Sequence, residues 1–177
     1  MSMKKYDQIH WNSQVVDSYN KAFNCIQSPR EDGKTTSMIK KINTAFDKYG
    51  LPSLIIRSQI ADITEQYIDD IADAWNMFHD EDEQINFFYK KSSIDKGVVD
   101  IYLSLSDMKE HTTPFIRVAS LNASMQRLKS GCKKFFLFWQ DEYIINYRVG
   151  EKYINGYVWR FKELYNTYRR ENPNMKV

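Results

Sequence analysis

Apolar positions along the chain follow two rhythms, short continuous runs that read as buried strands and recurrences every three to four residues that read as amphipathic helices. Ala22-Phe23-Asn24-Cys25-Ile26 has the aromatic and β-branched content of a strand. Ile39, Ile42, Phe46 and Tyr49 then recur at helical spacing, and Gly50 ends the pattern. Residues 51–57, Leu-Pro-Ser-Leu-Ile-Ile-Arg, read as a second strand with Arg57 at its C-terminal end. From Asp62, a helix places Ile63, Tyr67, Ile71, Ala74, Trp75 and Phe78 on one face and runs out into acidic residues 79–83, a solvated helix end. Residues 85–90 and 98–103 are strand-like and joined by a polar segment ending in Gly97, which predicts a β-hairpin. Residues 115–120 give another strand, followed by the polar connector Leu-Asn-Ala-Ser-Met-Gln-Arg-Leu-Lys-Ser over 121–130. Residues 134–139, Lys-Phe-Phe-Leu-Phe-Trp, form an apolar run suited to a strand buried on both faces, as central parallel strands are. Finally Tyr153, Tyr157, Phe161, Leu164, Tyr165 and Tyr168 make a helical stripe whose aromatic face belongs in a core.

The loop between the first strand and first helix carries the chemistry. Ser28-Pro29-Arg30-Glu31-Asp32-Gly33-Lys34-Thr35-Thr36 fits the phosphate-loop pattern G-x-x-x-x-G-K-S/T at every defining position but the first, where Ser28 replaces glycine. Gly33 lets backbone amides close on a phosphate, Lys34 offers a charge to the β- and γ-phosphates, and Thr35 offers a hydroxyl to Mg²⁺. Strand, loop, helix is the required setting, because the helix N-terminus points free amides at the anion. The plain alternative is a turn that happens to contain Gly-Lys-Thr.

The apolar run at 134–139 ends in Gln140-Asp141-Glu142. Carboxylates at the C-terminal end of a parallel strand lie where open α/β sheets bind ligands. In this Walker B arrangement Asp141 holds Mg²⁺ and Glu142 polarises the attacking water, although Gln140 interrupts the usual unbroken apolar lead. The alternative is a core strand followed by a solvated turn. ATP with Mg²⁺ is the expected ligand.

Composition narrows the class less. The 177 residues suit one domain with a sizeable core, and 15% aromatics argue against disorder. Lys and Arg total 25 against 23 acids, so the formal charge of +2 gives no electrostatic sign of nucleic-acid binding. Cys25 and Cys132 fall in or beside predicted strands, and His10, His79 and His111 lack ligand spacing, so neither a disulfide framework nor a zinc site is expected and the expected compartment is reducing. No apolar run approaches the about 18 residues of a membrane span. Tyr6, Trp11 and Tyr19 precede the loop, and an adenine-stacking role for one competes with simple packing at the domain edge.

Taken together, residues 28–36, Leu54-Ile-Ile-Arg57, the 121–130 connector, the 136–142 strand with its acids, and Phe161-Lys-Glu-Leu-Tyr-Asn-Thr-Tyr-Arg-Arg170 resemble the N-terminal ATPase domain of DNA-encapsidation proteins from small tailed phages. These are terminase-like packaging motors of the additional-strand P-loop class. The resemblance spans roughly residues 20–173, and the connector is its most specific part. It implies an α/β fold with a mostly parallel central sheet flanked by helices and an inserted β-hairpin, over residues 1–177 as a single domain. It also implies ATP hydrolysis between subunits of a homo-oligomeric ring, a pentamer when full length, driving double-stranded DNA through a portal into a procapsid in the host-cell cytoplasm. Arg30 then takes a sensing role, and Arg169 or Arg170 becomes a candidate arginine finger for the neighbouring subunit. Family members continue into a coupling motif and a nuclease-like domain, so the chain is expected to be a truncated form or natural fragment, with exposed apolar surface favouring self-association. Two readings compete: a regulatory or kinase-like P-loop protein with no DNA role, and a degenerate P-loop domain kept as a ring component.

Overall fold

The computed structural model describes residues 23–24, 33–131, 134–141, 154–175 and 177. Helix α1 (Lys34–Tyr49) buries Met38, Ile39, Ile42 and Ala45. It stops at Gly50, whose left-handed conformation lets its N–H bond the Phe46 carbonyl at 2.7 Å. Tyr49, expected on the buried stripe, is instead exposed in the last turn, next to the Gly50 cap. Strand β1 (Ser53–Arg57) follows, and helix α2 (Glu65–Asn76) begins where the Thr64 hydroxyl accepts the Tyr67 N–H at 3.0 Å. The other elements are β2 (Val98–Ile101), α3 (Leu105–Glu110), β3 (Ile116–Ser120), α4 (Met125–Lys129), β4 (Leu137–Gln140) and α5 (Tyr157–Glu171).

The strands form one sheet in the order β2-β3-β1-β4. β1 is parallel to both β3 and β4, and β2 runs antiparallel to β3 along the edge. Alternation along the strands sends side chains to two cores. Ile55, Ile116, Val118 and Leu137 meet α1 and α2 on one face. Leu54, Ile56, Ala119 and Phe138 meet Leu164, Tyr165 and Tyr168 of α5 on the other. Burial of each such side chain is worth about 1.5–3 kcal/mol, so both helical layers hold the sheet.

Two expected segments differ. The hairpin is reduced to a single antiparallel bridge between Phe88 and Tyr102. The Asn76 side chain occupies the Ile85 backbone, donating to its carbonyl and accepting from its N–H at 3.1 Å each, and residues Lys91–Lys96 wind into a 3-10 helix. Of the predicted first strand only Phe23 and Asn24 are described, neither in a ladder; the Asn24 N–H donates to the Val177 carbonyl at 2.9 Å. The polar connector is partly helical: α4 starts at Ser124, whose hydroxyl accepts the Arg127 N–H, and it buries Leu128.

The connector is anchored by a buried charge. Arg117, in the middle of β3 and 2% exposed, donates to both oxygens of Asp100 on β2, at 2.6 and 2.9 Å, and to the Ser130 carbonyl at 2.5 Å. Burial alone pulls its pKa down, but the hydrogen bond and charge of Asp100 outweigh that and hold it above its ordinary value. Gly131 turns beside it with φ of +70°, where a Cβ would come within 2.7 Å of the guanidinium. Only glycine fits that turn without displacing Arg117.

Candidate functional site

The Gly-Lys-Thr end of the loop forms the start of α1. Gly33 is its N-cap with φ of 74° and ψ of 21°, and as a glycine it brings no side-chain cap to the first turn. The first-turn amides have no partner within the helix, which gives the end its anion-binding character. Lys34 and Thr36 are half-buried and Thr35 is exposed. Ser28, Pro29, Arg30, Glu31 and Asp32 lie outside the described residues, as does Glu142.

Chain order fixes where this end points. Residues 50–52 alone connect α1 to β1, so the helix must run back antiparallel to the strand it precedes. Its N-terminus therefore lies toward the C-terminal ends of the parallel strands, the same end as Arg57 and Asp141. Phe23 packs on Tyr165 at 4.5 Å, and Tyr165 also meets Phe138 of β4.

Asp141 closes β4, with its N–H bonded to the Ile56 carbonyl at 3.0 Å. Leu137 and Trp139 face the α1–α2 core, and Asp141, two residues on, shares that face. Its Oδ2 accepts from Arg57 Nη1 at 2.7 Å and from the Tyr67 hydroxyl at 3.1 Å. The Arg57 guanidinium also lies 4.8 Å over the Tyr67 ring. Arg57 and Asp141 side chains are only 12% and 15% exposed, so solvent screens this pair little. Gln140, the polar residue that breaks the apolar lead, turns its amide N–H onto the carbonyls of Ile56 and Asp141 at 3.1 and 3.2 Å. Sequence reading placed Arg57 at this strand end but gave it no role, because its partner lies 84 positions away.

Among the described residues, no group of three His, Cys, Asp or Glu side chains is placed to hold a metal. The Asp141 carboxylate and Thr35 hydroxyl are hard oxygen donors, however, and magnesium takes one or two carboxylates and completes its shell with phosphate and water. The donor set fits that ion.

Arg169 and Arg170 stand elsewhere. Asn172, just after α5, donates to the carbonyl of Phe135 at 2.9 Å, so the C-terminal end of α5 sits by the start of β4. Both arginines are thus at the opposite end of the sheet from Asp141 and cannot serve its site in the same chain. Both are exposed, and Arg169 lies 5.8 Å over the Tyr165 ring. Arg160 is half-buried, with Nε donating to the Leu121 carbonyl at 2.6 Å and Nη2 to that of Ala123.

No family model matches the chain, and no curated protein matches it by sequence. Solved structures do. The N-terminal domain of the DNA packaging ATPase from bacteriophage phi29 superposes with a TM-score of 0.65 at 21% identity, covering 94% of this chain and 75% of that one. A chain of the bacteriophage Phi-29 viral genome packaging motor assembly gives 0.65 at 17%, over 95% of this chain and 45% of that one. The Phi-28 gp11 DNA packaging motor gives 0.66 at 12%, over 94% and 48%. The chain therefore spans just under half the length of the two motor chains. Among the described residues the chain has a four-stranded α/β sheet flanked by helices, and its fold is related to that of these packaging ATPase domains. Among the described residues no helix is long and apolar enough to cross a membrane.

Proposed function

We propose that this chain is an ATP-hydrolysing P-loop domain of the additional-strand class that drives double-stranded viral DNA into a procapsid, working at the procapsid in the host cytoplasm as part of a homo-oligomeric ring. The observation that carries the reading is the convergence of two independent motifs. The α1 N-terminus with Gly33, Lys34, Thr35 and Thr36, and the Asp141 carboxylate, lie at the same end and on the same face of the sheet. The fold shared with phage packaging ATPase domains supports the DNA-packaging part.

In this reading residues 28–36 wrap the phosphates, with Lys34 as the central cation. Thr35 and Asp141 hold Mg²⁺, which supplies charge neutralisation at the β- and γ-phosphates. Glu142 orients and deprotonates water, and Arg30 senses the terminal phosphate from within the loop. Arg169 or Arg170, remote from its own chain's Asp141, is the candidate arginine finger for a neighbouring subunit.

Lys34→Ala tests the assignment. A charge-assisted phosphate contact is worth about 1.5–3 kcal/mol, so nucleotide affinity should fall more than tenfold. Because Lys34 lies on the first turn, outside both cores, thermal unfolding should stay close to wild type. Equal affinity for wild type and variant in a nucleotide titration overturns the P-loop reading.

A further inference from the structure

Resting on the reading of Asp141 as a metal-binding carboxylate, we infer that Tyr67 and Arg57 form a positioning pair that locks Asp141 through Oδ2 and presents its other oxygen, Oδ1, to the divalent cation. Both donors converge on the same oxygen, at 3.1 and 2.7 Å, and neither contact uses Oδ1. Two donors from two different elements on one oxygen fix both torsions of the short aspartate side chain. Mg²⁺ demands near-ideal octahedral geometry and tolerates a loose ligand poorly. A carboxylate that ligates through one oxygen while outer partners hold the other is the arrangement that gives such order.

The pair is itself held in place. Tyr67 sits in the first turn of α2, where its backbone N–H is bonded by the Thr64 hydroxyl. Arg57 ends β1, flanked by β3 and β4, and its guanidinium lies on the Tyr67 ring at 4.8 Å, so each partner limits the other's rotamers. α2 also packs against α1, whose first turn carries Lys34 and Thr35. Tyr67 thereby ties the metal carboxylate to the helical layer that bears the phosphate loop.

The probe is Mn²⁺ with ADP on the full chain, read as free Mn²⁺ by electron paramagnetic resonance and as ADP affinity with and without metal. Tyr67→Phe removes one hydroxyl and no charge. It should raise the Mn²⁺ half-saturation roughly 10–100-fold, the range seen when outer-shell partners of metal ligands are lost. ADP affinity without metal should not change. Arg57→Gln should shift the same curve in the same direction, and Arg57→Lys should recover part of it. Asp141→Asn is the control for the underlying site. If Asp141→Asn weakens Mn²⁺ binding while Tyr67→Phe leaves it unchanged, the positioning role is wrong and the site stands. A Mn²⁺ curve that tightens in Arg57→Gln also overturns the inference, since it makes the arginine a competitor of the cation. If Asp141→Asn itself has no effect, both the inference and the metal-site assignment fall.

Discussion

Glu142→Gln is expected to bind ATP as the wild type does and to hydrolyse it roughly 10²–10⁴-fold more slowly, the contribution typical of a positioned general base. The substitution keeps shape and hydrogen-bonding reach but loses the carboxylate that orients and deprotonates water. The neighbouring Asp141 cannot take over, because its Oδ2 is already held by Arg57 and Tyr67 and its assigned task is the metal. Single-turnover hydrolysis separates the two acids: Glu142→Gln slows the chemical step at saturating Mg²⁺, whereas added Mg²⁺ partly restores Asp141→Asn. Wild-type turnover by Glu142→Gln, in a chain assembled well enough to hydrolyse ATP, rejects the role.

Asp100→Asn is expected to destabilise the fold by about 3–5 kcal/mol, as removal of one partner from a buried ion pair does. The larger loss comes from removing the acid, not the arginine. Asp100 is 30% exposed at its side chain and can be rehydrated when left alone, whereas the Arg117 side chain is 3% exposed and cannot. Arg117→Met, which also fills the space against Phe135, should therefore cost less than Asp100→Asn. Because the Arg117 pKa is raised, its stabilising charge is fully present below its unfolded pKa, and pH changes between 5 and 9, roughly, should leave the difference between variants unaltered. Equal losses in both variants, measured by denaturant unfolding, contradict the assignment of the buried guanidinium as the costly orphan.

The strongly periodic elements were legible from sequence. Strands 53–57, 116–120 and 137–140, α1, α2 and α5 follow from apolar runs and helical stripes, since burial on both faces leaves little freedom of pattern. Helix α3 was missed because it buries no residue; its one signal is Ser104, whose hydroxyl accepts the Asp107 N–H at 3.1 Å across the spacing of a capping box. Residues 85–90 have strand composition but lose their ladder to a side chain, a competition that composition does not record. At the site, the loop and the acid-terminated strand were legible because their chemistry needs fixed residue types at fixed spacing. Tyr67 appeared only as a core position, and Arg57 only as a strand end. Their convergence on Asp141 depends on β1 and β4 being neighbours, which is a property of sheet order and not of local pattern.

Helix α5 shares a core with Leu121, Ala123 and Leu128 of the 121–130 connector, and the polar ties between the two run mostly to main-chain carbonyls. Arg160 reaches those of Leu121 and Ala123, the Tyr168 hydroxyl reaches that of Leu128, and the Lys129–Glu163 pair joins side chain to side chain. The main-chain ties read chain length, and spelling matters chiefly at the buried Leu121, Ala123 and Leu128. An exposed position such as Gln126 can vary between related chains, but a single inserted or deleted residue would move every acceptor out of register at once. In divergent relatives the connector should then be recognisable by its constant span when little of its wording survives.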